Sequence, residues 1–242
     1  MTRKRADVVL VERGFFTSRA RAQEAIAAGL VTVNGAVIRK ASDAVPDEAA
    51  ITAEQPHPYV SRGGVKLAAA LDAFAIDPDG CICLDVGAST GGFTEVLLGR
   101  GAAHVYAVDV GHGQLHPKVA QDPRVTNLEG TDARALTPDL IPRAADLLVS
   151  DVSFISLKLV LPAAVALLKP RATLAVLVKP QFEAGRDHVK KGIVRDEAVH
   201  RAVCEDMTAF VASLGFTPLG LVPSPIEGGD GNREFLLGAR RG

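Results

Sequence analysis

The chain has 242 residues, 48% hydrophobic and 23% charged, with a formal net charge of −1. This is globular composition with room for one full domain and a small one. No apolar run approaches the roughly 20 residues of a membrane span, and Arg3-Lys4-Arg5 leads into Asp7 and Glu12 rather than a signal-peptide core. The expectation is a cytoplasmic protein without a membrane partner. Cys81 and Cys83 lie two apart on one strand face and are read as core residues in a reducing compartment. The histidines form no ligand set, so no metal is expected; His112 and His116, four apart, have no second pair to complete a zinc site. Charge is uneven: the first 40 residues carry a net +5 and the rest −6, so a polyanion is expected to meet the basic segment.

In chain order, residues 6–13 and 19–28 read as two short helices. Gly14 and Gly29 close them, and Thr17 or Ser18 caps the second. Leu30-Val31-Thr32-Val33, Asn34-Gly35 and Ala36-Val37-Ile38 form a hairpin signal, because Asn-Gly supplies the positive φ values of a type I′ turn. Residues 1–55 are thus expected to be a small α+β domain. Its motifs Ser18-Arg19-Ala20-Arg21-Ala22 and Ala28 to Gly35, with the trailing Arg39-Lys40, resemble an RNA-binding module. That module was first described in a small-subunit ribosomal protein and recurs in pseudouridine synthases and tyrosyl-tRNA synthetases. The resemblance makes Arg19, Arg21 and Lys40 candidate phosphate contacts.

The two prolines of Gln55-Pro56-His57-Pro58 favour an extended spacer, and residues 56–60 are read as a linker. Ser61-Arg62-Gly63-Gly64 then opens a helix over 65–74 that carries Lys66; Arg62 is added to the RNA-binding candidates. From residue 81 strands alternate with helices, at 81–86, 104–109, 125–128, 146–150, 172–178, 217–222 and 233–239. Alternation of this kind implies a parallel sheet covered on both faces. The 223–232 connection has no room for a helix, so the seventh strand should enter antiparallel. The expected fold over 61–242 is therefore a Rossmann-type, seven-stranded α/β methyltransferase sheet, mostly parallel with an antiparallel last strand.

The run Leu84-Asp85-Val86-Gly87-Ala88-Ser89-Thr90-Gly91-Gly92-Phe93-Thr94 is a strand, a glycine loop and a helix start. Gly87, Gly91 and Gly92 are read as allowing close approach of backbone and ligand, with Ser89, Thr90 and Phe93 beside them. The spacing D-x-G-x-S-x-G departs from the dinucleotide fingerprint. A carboxylate at the mouth of the loop, Asp85, would repel a pyrophosphate but suits a cationic ligand, and S-adenosylmethionine is such a ligand. Asp109 ends the second strand, where an acid takes ribose hydroxyls. Asp132 follows the third strand, within reach of an adenine amino group. Each acid alone could equally be a helix cap; together they favour one cofactor site.

The fourth strand ends in Ser150-Asp151-Val152-Ser153-Phe154, the fifth in Val178-Lys179-Pro180-Gln181-Phe182-Glu183, and the seventh opens Asn232-Arg233-Glu234-Phe235. With Lys66 these supply Lys66, Asp151, Lys179 and Glu234, which resemble the Lys-Asp-Lys-Glu tetrad of FtsJ-like ribose 2′-O-methyltransferases. Together with Gly192-Ile193-Val194-Arg195-Asp196 and the RNA-binding module, nearly the whole chain resembles the TlyA family, whose members also carry the name haemolysin. The resemblance implies cytidine-2′-O-methylation of ribosomal RNA within ribosomal subunits. A chain stopping at Arg241-Gly242 is expected to act on the large subunit.

The chemistry fits the residue types, because a ribose hydroxyl must lose its proton as it attacks a sulfonium methyl. Lys179 is assigned as base, with a second ammonium, Lys66, beside it to favour the neutral amine. Asp151 orients Lys179 and the target; Lys66 and Glu234 position and tune. The basic loop at 185–192 either closes on RNA or is only a mobile connection. Three other functions compete: a membrane-active haemolysin, which lacks a spanning segment since 157–168 is short and broken by Pro162; an RNA-binding regulator without turnover, which has no use for the tetrad; and a methyltransferase for a protein or small molecule, which leaves the N-terminal module without a purpose. Oligomeric state is not legible.

Overall fold

The computed structural model describes residues 3–228 and 231–242; Met1, Thr2 and, in the 223–232 loop, Gly229 and Asp230 lie outside the described residues. The chain divides into two units, Met1–Pro58 and Tyr59–Gly242. In the first, β1 (Arg3–Arg5) leads into α1 (Ala6–Glu12) and α2 (Arg19–Ala27), followed by β2 (Val31–Val33), β3 (Ala36–Val37), β4 (Ala44–Pro46) and β5 (Ile51–Ala53). Ser18 starts α2 by accepting a hydrogen bond from the Arg21 backbone N–H, an amide with no partner inside the helix. Asn34 and Gly35 both have positive φ, 51° and 78°, matching the twist a two-residue hairpin turn needs. β2 lies between β3 and β5, and β1 pairs with β4. The strands β1, β4 and β5 extend the helix–helix–hairpin read from sequence; three residues each are too few to show alternation.

Leu10, Phe16, Ala22, Ile26, Val31 and Val45 give this unit its own core. Asp7 is fully buried beside it. It accepts hydrogen bonds from Arg5, Arg19 and Gln23. These donors, Arg5 first, hold its carboxyl well below the usual carboxylate range.

The second unit runs α3 (Gly63–Ala73), β6 (Ile82–Val86), α4 (Gly92–Gly99), β7 (His104–Asp109), α5 (Pro117–Ala120), β8 (Val125–Glu129), β9 (Ala145–Ser150), α6 (Leu157–Val165), β10 (Leu168–Val178), α7 (Pro180–Glu183), α8 (Glu197–Ser213), β11 (Thr217–Pro223) and β12 (Phe235–Arg241). The sheet order is β11-β12-β10-β9-β6-β7-β8. β12 is antiparallel to both neighbours, whereas β10, β9, β6, β7 and β8 are parallel.

Side-chain alternation along the strands divides the core into two faces. Leu84, Leu148 and Val176 pack with Leu161 of α6 and Met207 and Val211 of α8. Cys83, Leu147 and Leu177 pack with Leu67 and Leu71 of α3 and Phe93 and Leu97 of α4. Asp85 lies two residues beyond Cys83, so it belongs to the α3–α4 face. Among the described residues no helix is long and apolar enough to cross a membrane.

Candidate active site

Register assembles the site. Val178 pairs with Phe235 at the end of the β10–β12 ladder, so the next residue of one strand, Lys179, and the preceding residue of the other, Glu234, emerge at one edge. Val86 pairs with Ser150, which brings Gly87 and Asp151 to the same edge, the carboxyl end of the parallel strands where ligands bind in open α/β sheets. Lys66 arrives from the first turn of α3. The four side chains form two ion pairs: Lys66 Nζ donates to Glu234 Oε2 at 2.6 Å, and Lys179 Nζ lies 2.6 Å from Asp151 Oδ1. Lys66, Lys179 and Glu234 are each less than 10% exposed. One cavity is lined by Arg62, Lys66, Gly87, Ser89, Phe93, Asp151 and Lys179.

The pairing differs from the sequence reading in one respect. Lys66 does not serve Lys179 simply as a bare like charge; each ammonium has its own carboxylate. Lys179 also donates to Ser153 Oγ at 2.7 Å, a partner that the tetrad pattern does not contain.

A second cavity of about 330 Å³, open to solvent, shares Gly87, Ser89, Asp151 and Ser153 with the first and extends past Asp109 and Asp132 to Val110 and Phe154. Its volume suits a nucleoside-sized ligand. Asp109 accepts one backbone N–H on each oxygen, from Ser89 at 2.8 Å and Gly111 at 2.7 Å. A carboxylate has about four acceptor sites, so a vicinal diol could still be taken. Asp132 is more committed. It caps a short 3-10 turn through the Arg134 backbone N–H and pairs with the Arg134 guanidinium at 2.6 Å, which holds its carboxyl down to about 2. Glu129 is likewise held to about 2, by the Asn127 amide and the backbone N–H groups of Leu115 and Gln114. It thereby anchors the 110–116 loop along this cavity.

Asp85 departs most from expectation. It is fully buried under the loop rather than at its mouth. Its Oδ2 accepts from the Thr94 hydroxyl at 2.6 Å, while its buried Oδ1 has no hydrogen-bond partner. Burial pushes its carboxyl up to about 7. Packing within the protein also requires the three glycines. A Cβ on Gly87 would stand 2.8 Å from the Asp151 carbonyl oxygen, one on Gly91 2.8 Å from Leu115, and one on Gly92 2.2 Å from the Ser61 hydroxyl. Gly87 and Gly91 have φ of 87° and 91°. Ser89 and Thr90 between them are exposed, and Phe93 is buried against Gly63.

This arrangement can be compared with known proteins. The FtsJ-like methyltransferase family matches residues 59–241, and the S4 domain matches residues 4–51. The 16S/23S rRNA (cytidine-2′-O)-methyltransferase TlyA of Mycobacterium tuberculosis is 47% identical over 241 residues, covering 98% of this chain and 90% of the relative. The chain belongs to the TlyA family. Hemolysin A of Brachyspira hyodysenteriae, another relative, is 39% identical over 96% of this chain and 98% of its own. The solved structure of a Streptococcus thermophilus protein with a hemolysin name superposes with a TM-score of 0.79 at 43% identity, covering 100% of this chain and 89% of that one.

Within this TlyA-family chain the S4 arginines are already engaged. Arg19 forms an ion pair with buried Asp7 at 2.8 Å. Arg21 donates to Gln55 Oε1 at 2.9 Å and to the His57 carbonyl at 3.2 Å. Both guanidiniums therefore brace the unit as well as facing solvent. Lys40 is exposed, and Arg62 is exposed at the start of α3. Two further features escaped sequence reading. Phe154 is 92% exposed with φ of +65°, a backbone region costly for a non-glycine residue, and its ring stands 5.2 Å from that of Phe182. Glu183 accepts from Ser156 Oγ and the Leu157 N–H, tying the segment after β10 to the start of α6.

Proposed function

We propose that the protein transfers a methyl group from S-adenosylmethionine to the 2′-hydroxyl of a cytidine in ribosomal RNA. The observation that carries the reading is the pair of buried ion pairs, Lys179–Asp151 and Lys66–Glu234, beside a cavity floored by the glycine loop and Asp109. The relative from M. tuberculosis is named for this reaction, and the S4 domain supports an RNA partner.

Gly87, Ser89 and Asp109 would hold the cofactor, and Asp85, buried under the loop with its Oδ1 unpartnered, would favour a ligand carrying positive charge. When bound, that ligand supplies a methyl group on a sulfonium. Lys179, once its own proton has been released to solvent, takes the proton of the ribose hydroxyl; Asp151 fixes the amine. Lys66, neutralised by Glu234, is positioned to hold the oxygen without adding net charge to the pocket. General-base help of this kind is worth about 10²–10⁴-fold, and alignment supplies much of the remainder. Phe154, exposed at the rim, offers a face on which a base can stack.

The test is tritiated-methyl transfer to purified large and small subunits, followed by nucleoside mass spectrometry. Label appearing as 2′-O-methylcytidine supports the reading and identifies the subunit. RNA binding with no transfer would support the regulator instead, and lysis of membranes without transfer would support the haemolysin.

A further inference from the structure

We infer that Ser153 is a positioning residue for the reaction, acting with Asp151 to fix the direction of the Lys179 amine. The inference rests on the reading of Lys179 as the group that takes the hydroxyl proton. A neutral amine has two N–H bonds and one lone pair in a tetrahedral array. If both N–H bonds have fixed acceptors, the lone pair has one direction left. Ser153 Oγ accepts one from Lys179 Nζ at 2.7 Å, and the Asp151 carboxylate, its ion-pair partner at 2.6 Å, restricts the other. With Asp151 alone, the amine could rotate about its Cε–Nζ bond and carry the lone pair off line.

The segment that carries Ser153 is built to hold still. It leaves β9 at Asp151, whose N–H bonds to the Val86 carbonyl at 3.1 Å, and passes through the positive-φ Phe154. It is then closed by Glu183, which accepts from Ser156 and Leu157. Glu183 is four residues beyond Lys179, so the segment bearing the acceptor and the segment bearing the amine are stitched together at both ends. The Phe182 ring, 6.0 Å from Lys179 Nζ, faces the same group. Ser153 is also exposed and lines both cavities, where its hydroxyl proton is free to meet an incoming ribose oxygen. A serine retained only for its turn would not need to accept from the buried lysine.

The full-length chain carrying Ser153→Ala should lose about 10-fold or more in kcat for subunit methylation, part of the range general-base catalysis spans. Its KM for the subunit and its Kd for S-adenosylmethionine should stay within about twofold. Ser153→Thr, which restores the hydroxyl, should recover most of the loss. A second measurement needs neither cofactor nor RNA: spectra of the protein labelled with ¹³C and ¹⁵N in lysine, with Lys179→Arg used to assign the signal. Ser153→Ala should broaden or shift the Lys179 resonance, and Ser153→Thr should return it. Wild-type kcat in the alanine variant, or an unmoved Lys179 resonance, overturns the assignment of Ser153 alone. If Lys179→Ala keeps full turnover, the base itself is wrong and the role of Ser153 falls with it.

Discussion

Asp85→Asn should make the methyltransferase domain more stable above neutral pH. Asp85 is fully buried, with Oδ1 unpartnered, and burial raises its carboxyl from an ordinary 3.8 to about 7. Between those values the folded chain holds a proton that the unfolded chain has released, so stability falls as pH rises. The loss begins above the unfolded value and is complete above the folded one. One proton corresponds to about 1.4 kcal/mol per pH unit, so the whole interval is worth on the order of 4 kcal/mol, with about 2 kcal/mol of it between pH 5 and 7. Asparagine keeps the shape and can still accept from the Thr94 hydroxyl, but it cannot charge. Urea unfolding followed by circular dichroism at pH 5, 6, 7 and 8 should show the variant nearly flat in this component, overtaking wild type as pH rises. Parallel pH dependence in the two proteins would falsify the argument, as would a variant less stable than wild type at pH 8. Calorimetry at pH 8 adds a functional arm: if the carboxylate answers the sulfonium charge of the cofactor, Asp85→Asn should bind S-adenosylmethionine more weakly despite its greater stability.

Lys179→Ala should abolish nearly all methyl transfer while leaving cofactor binding close to wild type. Lys179→Arg should fail too, because a guanidinium does not give up its proton near neutral pH; substantial single-turnover transfer by the arginine variant would show that charge, not proton acceptance, is what Lys179 supplies. Glu234→Ala strands the buried Lys66 ammonium and should cost about 3–5 kcal/mol in denaturant unfolding, with a smaller combined loss when Lys66→Ala is added. Equal and additive losses would mean the pair is not coupled. In the S4 domain, Lys40→Ala should lower the salt dependence of RNA binding by about one unit of slope. Arg19→Ala should act first on stability, since Asp7 loses a donor; an Arg19→Ala protein with unchanged melting and a flatter salt slope would reverse those roles.

The sheet was legible because its signals are long. Apolar strands of five or more residues separated by helical periods specify a parallel sheet, and the short 223–232 connection forced the antiparallel turn of β12. The first unit was legible only where a local rule applies: Asn34-Gly35 requires positive φ, and Ser18 is a good cap. Its strands β1, β4 and β5 depend on partners distant in sequence, which no local pattern records. The engagement of Arg19 and Arg21 was hidden for the same reason. Their partners Asp7, Gln55 and His57 lie 12 to 36 residues away.

In the methyltransferase domain the chemistry-bearing types were readable but their roles depended on direction. Counting forward to Gly87 puts Asp85 at the loop. Counted back to Cys83, strand alternation puts it under α4, where Thr94 meets it. Register has the same force at the other end of the site: because Val178 opposes Phe235, an acid just before β12 and a lysine just after β10 must share an edge, and a second lysine arriving there needs a carboxylate of its own. Two lysines without two acids would leave uncompensated charge in a pocket less than a tenth exposed, at a cost of several kcal/mol per ion. The tetrad is therefore better understood as two neutralised pairs than as four converging catalysts. Among the described residues only the Lys179–Asp151 pair has a further acceptor, Ser153, and that asymmetry is the physical reason for assigning the proton to Lys179 rather than to Lys66.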